Sequence, residues 1–479
     1  MLFNSFPFAF FFLVVFFLYW IIGRKKAMVQ NTILLLSSYF FYAWWSWKFL
    51  FLLVFSTTLV YFLALQIEKQ TNKQIKKILV NSGIVFIVGL LFIFKYYNFF
   101  IQSFVALLAQ FSIHVGDKSL NLILPIGISF YSFRLISYLL DVYNGKYTPT
   151  QNWANFSTYV SFFPSILSGP IDRANLLLPQ LEEPRVFNQT MAADGIRQFM
   201  WGLFKKVVIA DILGTFTDMV FNNFQAYPGS ILLIAAFLYT IQIYTDFSGY
   251  SDMAIGVGKL LGLNITRNFE FPFFAQNIAE FWRKWHMSLT SWLTDYVFTP
   301  LAIKFRDYGK TGLAMAIVIN FTICGIWHGA NWTYVLFGFL HGLYFIPLII
   351  KGTLNKKRKP SGNKFLPSIT DFYKMLSLFV LVMFTFIVFR ANAIPDVFQI
   401  LAKIFSKSIL TRPHDIVPHI TYLLILLTFI FEWIYRDKDY GFKLDNMNRP
   451  MRLILYYLVI FSIIHFTGSA TNQFIYVKF

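Results

Sequence analysis

Cysteine is almost missing from this chain: among 479 residues only Cys324 carries a thiol. A lone thiol closes no internal disulfide and supplies no cysteine-based metal set. Charge is scarce as well, at 13% of residues, where a soluble domain carries about a quarter. The scarcer sign is acidic, with 22 Asp and Glu against 41 Lys and Arg and a formal net charge of +19. No HExxH, CxxC, P-loop or supported GxGxxG pattern occurs, and GYS at 249–251 is not the GxSxG elbow of serine hydrolases. Fixed-period repeats and low-complexity segments are also missing, which argues against solenoids and against the paired halves of many transporters. The first apolar run has its positive charges after it and no small-residue cleavage pattern. It is expected to stay in place as a helix rather than act as a secretory signal.

Apolar residues are what the chain has in excess, 57% hydrophobic and 20% aromatic. Apolar runs recur at 6–22, 31–45, 49–65, 84–94, 231–243, 313–327, 376–389 and 420–434. Several approach the roughly 17–25 residues that cross a hydrocarbon core of about 30 Å, and the rest are shorter. The expectation is an all-α polytopic integral membrane protein, with about ten to thirteen membrane-embedded helices around a central polar cavity or tunnel. Basic residues cluster in short loops at 24–26, 69–77, 351–358 and 436–452. Such loops face the cytoplasm, so the positive balance reflects orientation, with contact to anionic membrane lipids or attraction of an anionic cytosolic substrate as the other reading, and not nucleic acid. This topology puts both termini outside.

A single domain, 1–479, is expected: scaffold helices at 1–115, a core at 120–345, and C-terminal helices and tail at 346–479. In the core the apolar runs are interrupted by Gly, Pro and ionisable residues, as in LPIGISFYSFR (124–134), SFFPSILSGPIDR (161–173), YTDFSGYSD (244–252) and NFEFPFFAQN (268–277). A charge at mid-bilayer costs about 2.5–3.5 kcal/mol on insertion scales. Irregular backbone at that depth survives only where protein or a watery cavity covers it. Asp246 and Asp252 are therefore expected to line the cavity.

Of seven histidines, His114, His286, His328, His341, His414, His419 and His465, two stand in unusual settings. His286 lies in NIAEFWRKWHMSLTSWLTDY (277–296). Asn277 and Glu280 have the spacing of a capping box, so a helix should begin there. On one continuous helix Trp285, Leu289, Trp292 and Tyr296 share a face, and Arg283, His286 and Thr290 share another that would turn toward the cavity. An ordinary interfacial helix accounts for the pattern equally well. His328 ends the run 311–327 inside GIWHGANW (325–332), where Gly329 can stop a helix and Asn331 can cap the next. That places an imidazole at a helix C-terminus, able to take a proton from a hydroxyl, a service worth about 10²–10⁴ in rate. A purely structural histidine at a bend remains the other reading. Cys324, inside the same run, reads as packing. His328 and His341 have no matching carboxylate or cysteine set, so no metal is expected.

Five stretches taken together, 124–147, 162–171, 243–256, NFEFPFFAQNIAEFWRKWHMSLTSWLTDYVFTPL and ICGIWHGANWTYVLFGFLHGLYF, resemble the membrane-bound O-acyltransferase family in the order the family has them. The likeness is to its bacterial alginate-acetylating branch, and the tail QFIYVKF (473–479) resembles the aromatic C-terminus of that branch. The resemblance implies a helical acyltransferase in which His328 matches the principal histidine and His286 the second. Arg283, Asp246, Asp252, Trp327 and Asn331 are cavity-lining candidates. It further implies an acyl thioester donor, acetyl-CoA or another, with no bound cofactor. The acceptor would be a hydroxyl of an extracellular polysaccharide or cell-wall glycan, reached directly or through a secreted or periplasmic SGNH-type partner. The place would be the bacterial cytoplasmic membrane. Indole or backbone N–H groups near Trp327 and Gly329, or a protonated His286, would steady the oxyanion. The alternatives are D-alanyl transfer to teichoic acid and, from another class, a transporter or flippase without acyl transfer. Three places depart from the family: Arg134 where it has Gln, Thr294 where it has Arg, and 302–306 where it has a Gly-Gly-Asn loop.

Overall fold

The computed structural model describes the chain apart from residues 25, 114, 117–118, 355, 357–365, 414–416, 446, 469–473 and 476–479. His114 and His414, the residues Asn355, Lys357 and Arg358 of the basic loop, and most of the aromatic tail therefore lie outside the described residues. Among the described residues the elements are helical and no strand occurs. Seven helices among the described residues are long and apolar enough to cross a membrane: Trp47–Lys69, Lys73–Gln110, Gly229–Leu260, Arg306–His328, Trp332–Ile350, Ile369–Arg390 and Arg449–Phe466. Phe6–Ile21 and His419–Ile434 are shorter apolar helices. Much of the Gly- and Pro-rich middle forms short helices such as Trp153–Ser161, Ala174–Glu182, Ile278–Lys284 and Met287–Leu293. The protein is thus an all-α, multi-pass membrane protein.

The chain divides into two compact units, Met1–Gly195 with Ala254–Thr266, and Ile196–Met253 with Arg267–Phe479. That division falls inside the stretch 120–345 that the sequence reading treats as one core.

In the first unit, apolar helices are tied together by polar side chains in their interior. Arg185 donates from Nε to the Tyr19 hydroxyl at 2.8 Å and from Nη2 to Asn31 Oδ1 at 2.6 Å. Asn31 Nδ2 in turn donates to Asn155 Oδ1 at 2.7 Å. A buried guanidinium is tolerated because its donors are spent on fixed acceptors. Arg134 follows the same rule on the helix Ile128–Tyr143. Its Nη1 donates to the carbonyls of Tyr159 (3.2 Å) and Val160 (3.0 Å), and its Nη2 to Pro170 O (3.2 Å) and the Ser165 hydroxyl. The Asp172 carboxylate stands 3.8 Å away, and both side chains are buried. Arg134 thereby pins the loop FFPSILSGPI. Gly127, at φ +76°, lets that loop close, because a Cβ there would sit 2.5 Å from Ile166 O.

The second unit is organised around an antiparallel hairpin, Gly309–His328 and Trp332–Leu343. Its two helices approach at glycines: a Cβ on Gly325 would lie 2.1 Å from Tyr334 O, and one on Gly338 2.2 Å from Phe321 O. Small residues at such crossings let membrane helices gain close packing where hydrophobicity alone gives no drive to associate. The turn is set by Asn331, whose Oδ1 accepts from Thr333 N–H at 3.0 Å.

Candidate active site

His328 is the last residue of its helix and is 3% exposed. Gly329 continues in extended backbone, and its lack of a side chain admits the Tyr334 ring, which a Cβ would approach to 2.3 Å. The His328 ring packs edge-on against Phe337 (5.9 Å between centroids) and Phe389 (5.3 Å), with Trp327 beside it at 5.2 Å. Cys324 Sγ lies 3.8 Å from His328 Nε2, one helical turn back.

His286 does not sit on a continuous helix, which corrects the sequence reading. Asn277 does cap the helix Ile278–Lys284, accepting from Glu280 N–H at 2.9 Å, but Glu280 Oε2 accepts from Gln276 N–H and not from Asn277. The chain then breaks. His286 adopts φ +47°, ψ +50°, a left-handed conformation rare for a residue with a side chain, and a second helix, Met287–Leu293, starts from it. Such a conformation costs about 1–3 kcal/mol and persists only where the surroundings over-determine it. As a result the expected face of Arg283, His286 and Thr290 does not form: Arg283 is exposed while His286 is 0% exposed.

The residue that over-determines the corner is Asn268, which the sequence reading passed over. Its carbonyl accepts from Met287 N–H at 2.8 Å. Its Oδ1 takes Ser288 N–H (3.2 Å), the Ser288 hydroxyl (2.9 Å) and His286 Nδ1 (3.1 Å), while its Nδ2 donates to Ser251 Oγ (3.2 Å). A backbone N–H can only donate, so the atom facing Ser288 is the amide oxygen. His286 must then present Nδ1–H to it, which leaves the ring's lone pair on Nε2. Burial, with the nearby His328 adding to it, holds the His286 pKa well below its ordinary 6.5. The ring is therefore neutral and an acceptor at Nε2. This corrects the expectation of a protonated His286 as oxyanion donor. The only trace of Asn268 in the sequence is a polar residue opening the Phe-rich NFEFPFF stretch.

The two imidazoles meet around tryptophan: Trp327 lies 5.9 Å from the His286 ring and 5.2 Å from the His328 ring. Phe247 closes the other side of His286 at 4.6 Å. Asp246 and Asp252 are not part of this grouping. Lys206 Nζ bridges Asp246 (2.7 Å) and Asp211 (2.8 Å), and Lys205 Nζ holds Asp252 (2.6 Å). Both lysines belong to a π-helical segment, Lys205–Ala210, and both were missed because FKKVV reads as a local charge pair. Ile475 N–H donates to Asp246 Oδ2 at 2.7 Å, and the Phe474 ring lies under the Lys206 ammonium at 4.1 Å. Asn331, besides capping its helix, donates to Asn392 O at 2.7 Å. A groove of about 520 Å³ is lined by Gln276, Asn277, Tyr344, Tyr373, Lys374 and Ser377, among others. It does not include either histidine. It opens at the N-terminal end of the seven-residue helix Ile278–Lys284, about 10 Å of helix away from His286. Among the described residues no group of three or more His, Cys, Asp or Glu could hold a metal ion.

Residues 150–389 match the model of the membrane-bound O-acyltransferase family. The matched stretch contains both histidines, Asn268 and the glycine hairpin. The chain is 36% identical to a probable alginate O-acetylase of Azotobacter vinelandii, over 76% of this chain and 70% of that protein. It is 33% identical to a peptidoglycan O-acetyltransferase of Helicobacter pylori, over 62% of this chain and 60% of the relative. A teichoic acid D-alanyltransferase of Streptococcus thermophilus is 30% identical over 61% of this chain and 75% of its own length.

Proposed function

The chain belongs to the membrane-bound O-acyltransferase family, and from that premise we propose that it moves an acetyl group from a thioester, acetyl-CoA or a similar donor, to a hydroxyl of an extracellular polysaccharide or cell-wall glycan. The buried pair of His286 and His328, one held in a left-handed corner and one ending a helix, is the observation that carries this reading. In the transfer the hydroxyl oxygen bonds to the thioester carbonyl carbon, its proton passes to His328, and the C–S bond breaks. The leaving sulfur then takes that proton, so the enzyme ends as it began. The thioester is already activated, so no acyl-enzyme is required. His286, neutral with its lone pair on Nε2, is a second acceptor that orients the attacking hydroxyl beside His328. The oxyanion falls to N–H donors near Trp327 and Gly329, a service worth about 2.7–4 kcal/mol where such donors have been removed from enzymes.

The setting we propose is the bacterial cytoplasmic membrane, with a secreted or periplasmic SGNH-type partner handing the group to the polymer. Relatives named as an alginate O-acetylase and a peptidoglycan O-acetyltransferase support an acetyl group and a glycan acceptor. The relative named as a D-alanyltransferase supports the second reading, in which the group is D-alanine and the acceptor a teichoic acid. The test is transfer of labelled acetyl from acetyl-CoA in membranes bearing wild-type, His328→Ala or His286→Ala protein. We expect His328→Ala to abolish transfer and His286→Ala to reduce it severely, both at wild-type abundance. Full transfer by folded His328→Ala protein overturns the assignment.

A further inference from the structure

We propose that His341 is a positioning residue: the hydrogen bond it accepts from Trp282 braces the His286 corner against the hairpin that carries His328, and so sets the separation of the two histidines. The inference rests on the acyl-transfer reading above and adds a third histidine to it. His341 is 0% exposed, and its Nδ1 lies 3.2 Å from Trp282 Nε1. An indole N–H only donates, so Nδ1 holds a lone pair and the proton of the neutral ring sits on Nε2.

The place of each partner gives the bond its meaning. Trp282 is on Ile278–Lys284, the short helix that ends two residues before His286. His341 is on Trp332–Leu343, on the side that meets the His328 helix: Gly338 and Gly342, neighbours of His341 along the chain, both touch that helix within the distance of a Cβ contact. A relay of rings continues the link, from His341 to Phe337 at 4.5 Å and from Phe337 to His328 at 5.9 Å. The His328 end is thus fixed by backbone contact at glycines. The His286 end hangs on a short helix and a strained corner. A directional bond between them resists sliding in a way that ring packing does not, because dispersion is indifferent to small displacements along a face.

A histidine here could instead be only a filler of core volume. Three substitutions separate the two roles. Asparagine places its Oδ1 near the position of Nδ1 and keeps an acceptor, leucine keeps bulk without one, and Trp282→Phe keeps bulk without the donor. A misplacement of about 1 Å can cost about a hundredfold in rate. We therefore expect His341→Leu and Trp282→Phe each to lower kcat about ten- to hundredfold with KM nearly unchanged, and the double variant to be no worse than either. His341→Asn should recover most of the wild-type kcat. A second readout needs no turnover: in protein carrying 15N-tryptophan, the Trp282 indole resonance, assigned by its loss in Trp282→Phe, should keep its hydrogen-bonded position in His341→Asn and move in His341→Leu. Wild-type kcat in His341→Leu, additive losses in the double variant, or equal losses in His341→Asn and His341→Leu overturn the brace. An indole resonance that is the same in all His341 variants overturns it as well. Retained transfer by His328→Ala strikes the acyl-transfer reading itself and leaves the indole measurement to decide the bond.

Discussion

Removing Asn268 should disable the enzyme without touching either histidine. Asn268→Ala deletes the acceptor of three buried donors, Ser288 N–H at 3.2 Å, the Ser288 hydroxyl at 2.9 Å and His286 Nδ1 at 3.1 Å. A buried donor left without its acceptor costs about 1–3 kcal/mol. The left-handed corner at His286, φ +47°, holds a further 1–3 kcal/mol or so that these bonds restrain. The cheapest relief is for the corner to relax and the ring to rotate, which moves Nε2 and frees the other tautomer. If about 2.7 kcal/mol of orientation is lost, kcat falls about a hundredfold, since each 1.36 kcal/mol is tenfold. Asn268→Asp gives the sharper test, because it keeps the shape and adds charge. In the wild type burial holds the His286 pKa well below 6.5, so the ring is neutral through the neutral range. A carboxylate on Nδ1–H favours imidazolium and raises that pKa. An imidazolium has no lone pair on Nε2, so activity should vanish as pH falls through the raised pKa and return on the alkaline side. The assay is the initial rate of thiol release from acetyl-CoA, with the acceptor present, followed from acid to alkaline pH. Wild-type kcat in Asn268→Ala, or an unshifted acid limb in Asn268→Asp, would refute the tautomer argument.

Two further outcomes are expected. Arg134→Gln should lower the thermal midpoint sharply, because it strips a buried Asp172 of the cation 3.8 Å away; breaking such a pair costs about 3–5 kcal/mol, and an unchanged midpoint would show the pair idle. Lys356→Cys, in protein whose one native thiol Cys324 is buried, should resist a membrane-impermeant thiol reagent on intact cells and react after permeabilisation, as the basic loop's cytoplasmic side requires; labelling from outside would invert the topology.

The sequence by itself determined the solvent and the class. Hydrocarbon offers no partner to a peptide N–H or C=O, so only helices or a closed barrel can span it, and unbroken apolar runs without the alternation of barrel strands point to helices. It also determined the local stops: Asn277, Asn331 and Gly329 act where their short-range chemistry says they must. The two histidines were legible by their odd surroundings and by resemblance to a family. What periodicity could not show is that the helix through His286 breaks. The break is made by Asn268, far along the chain, whose side chain and carbonyl outbid the next helical turn. The same is true of the pairing of Asp246 and Asp252 with Lys206 and Lys205, and of Trp282 with His341. In the sequence these are scattered polar residues on apolar helices; only packing decides which buried donor meets which acceptor, since each must find a partner wherever the fold brings one. For that reason the histidines could be singled out as candidates early, and their tautomers and their spacing could not.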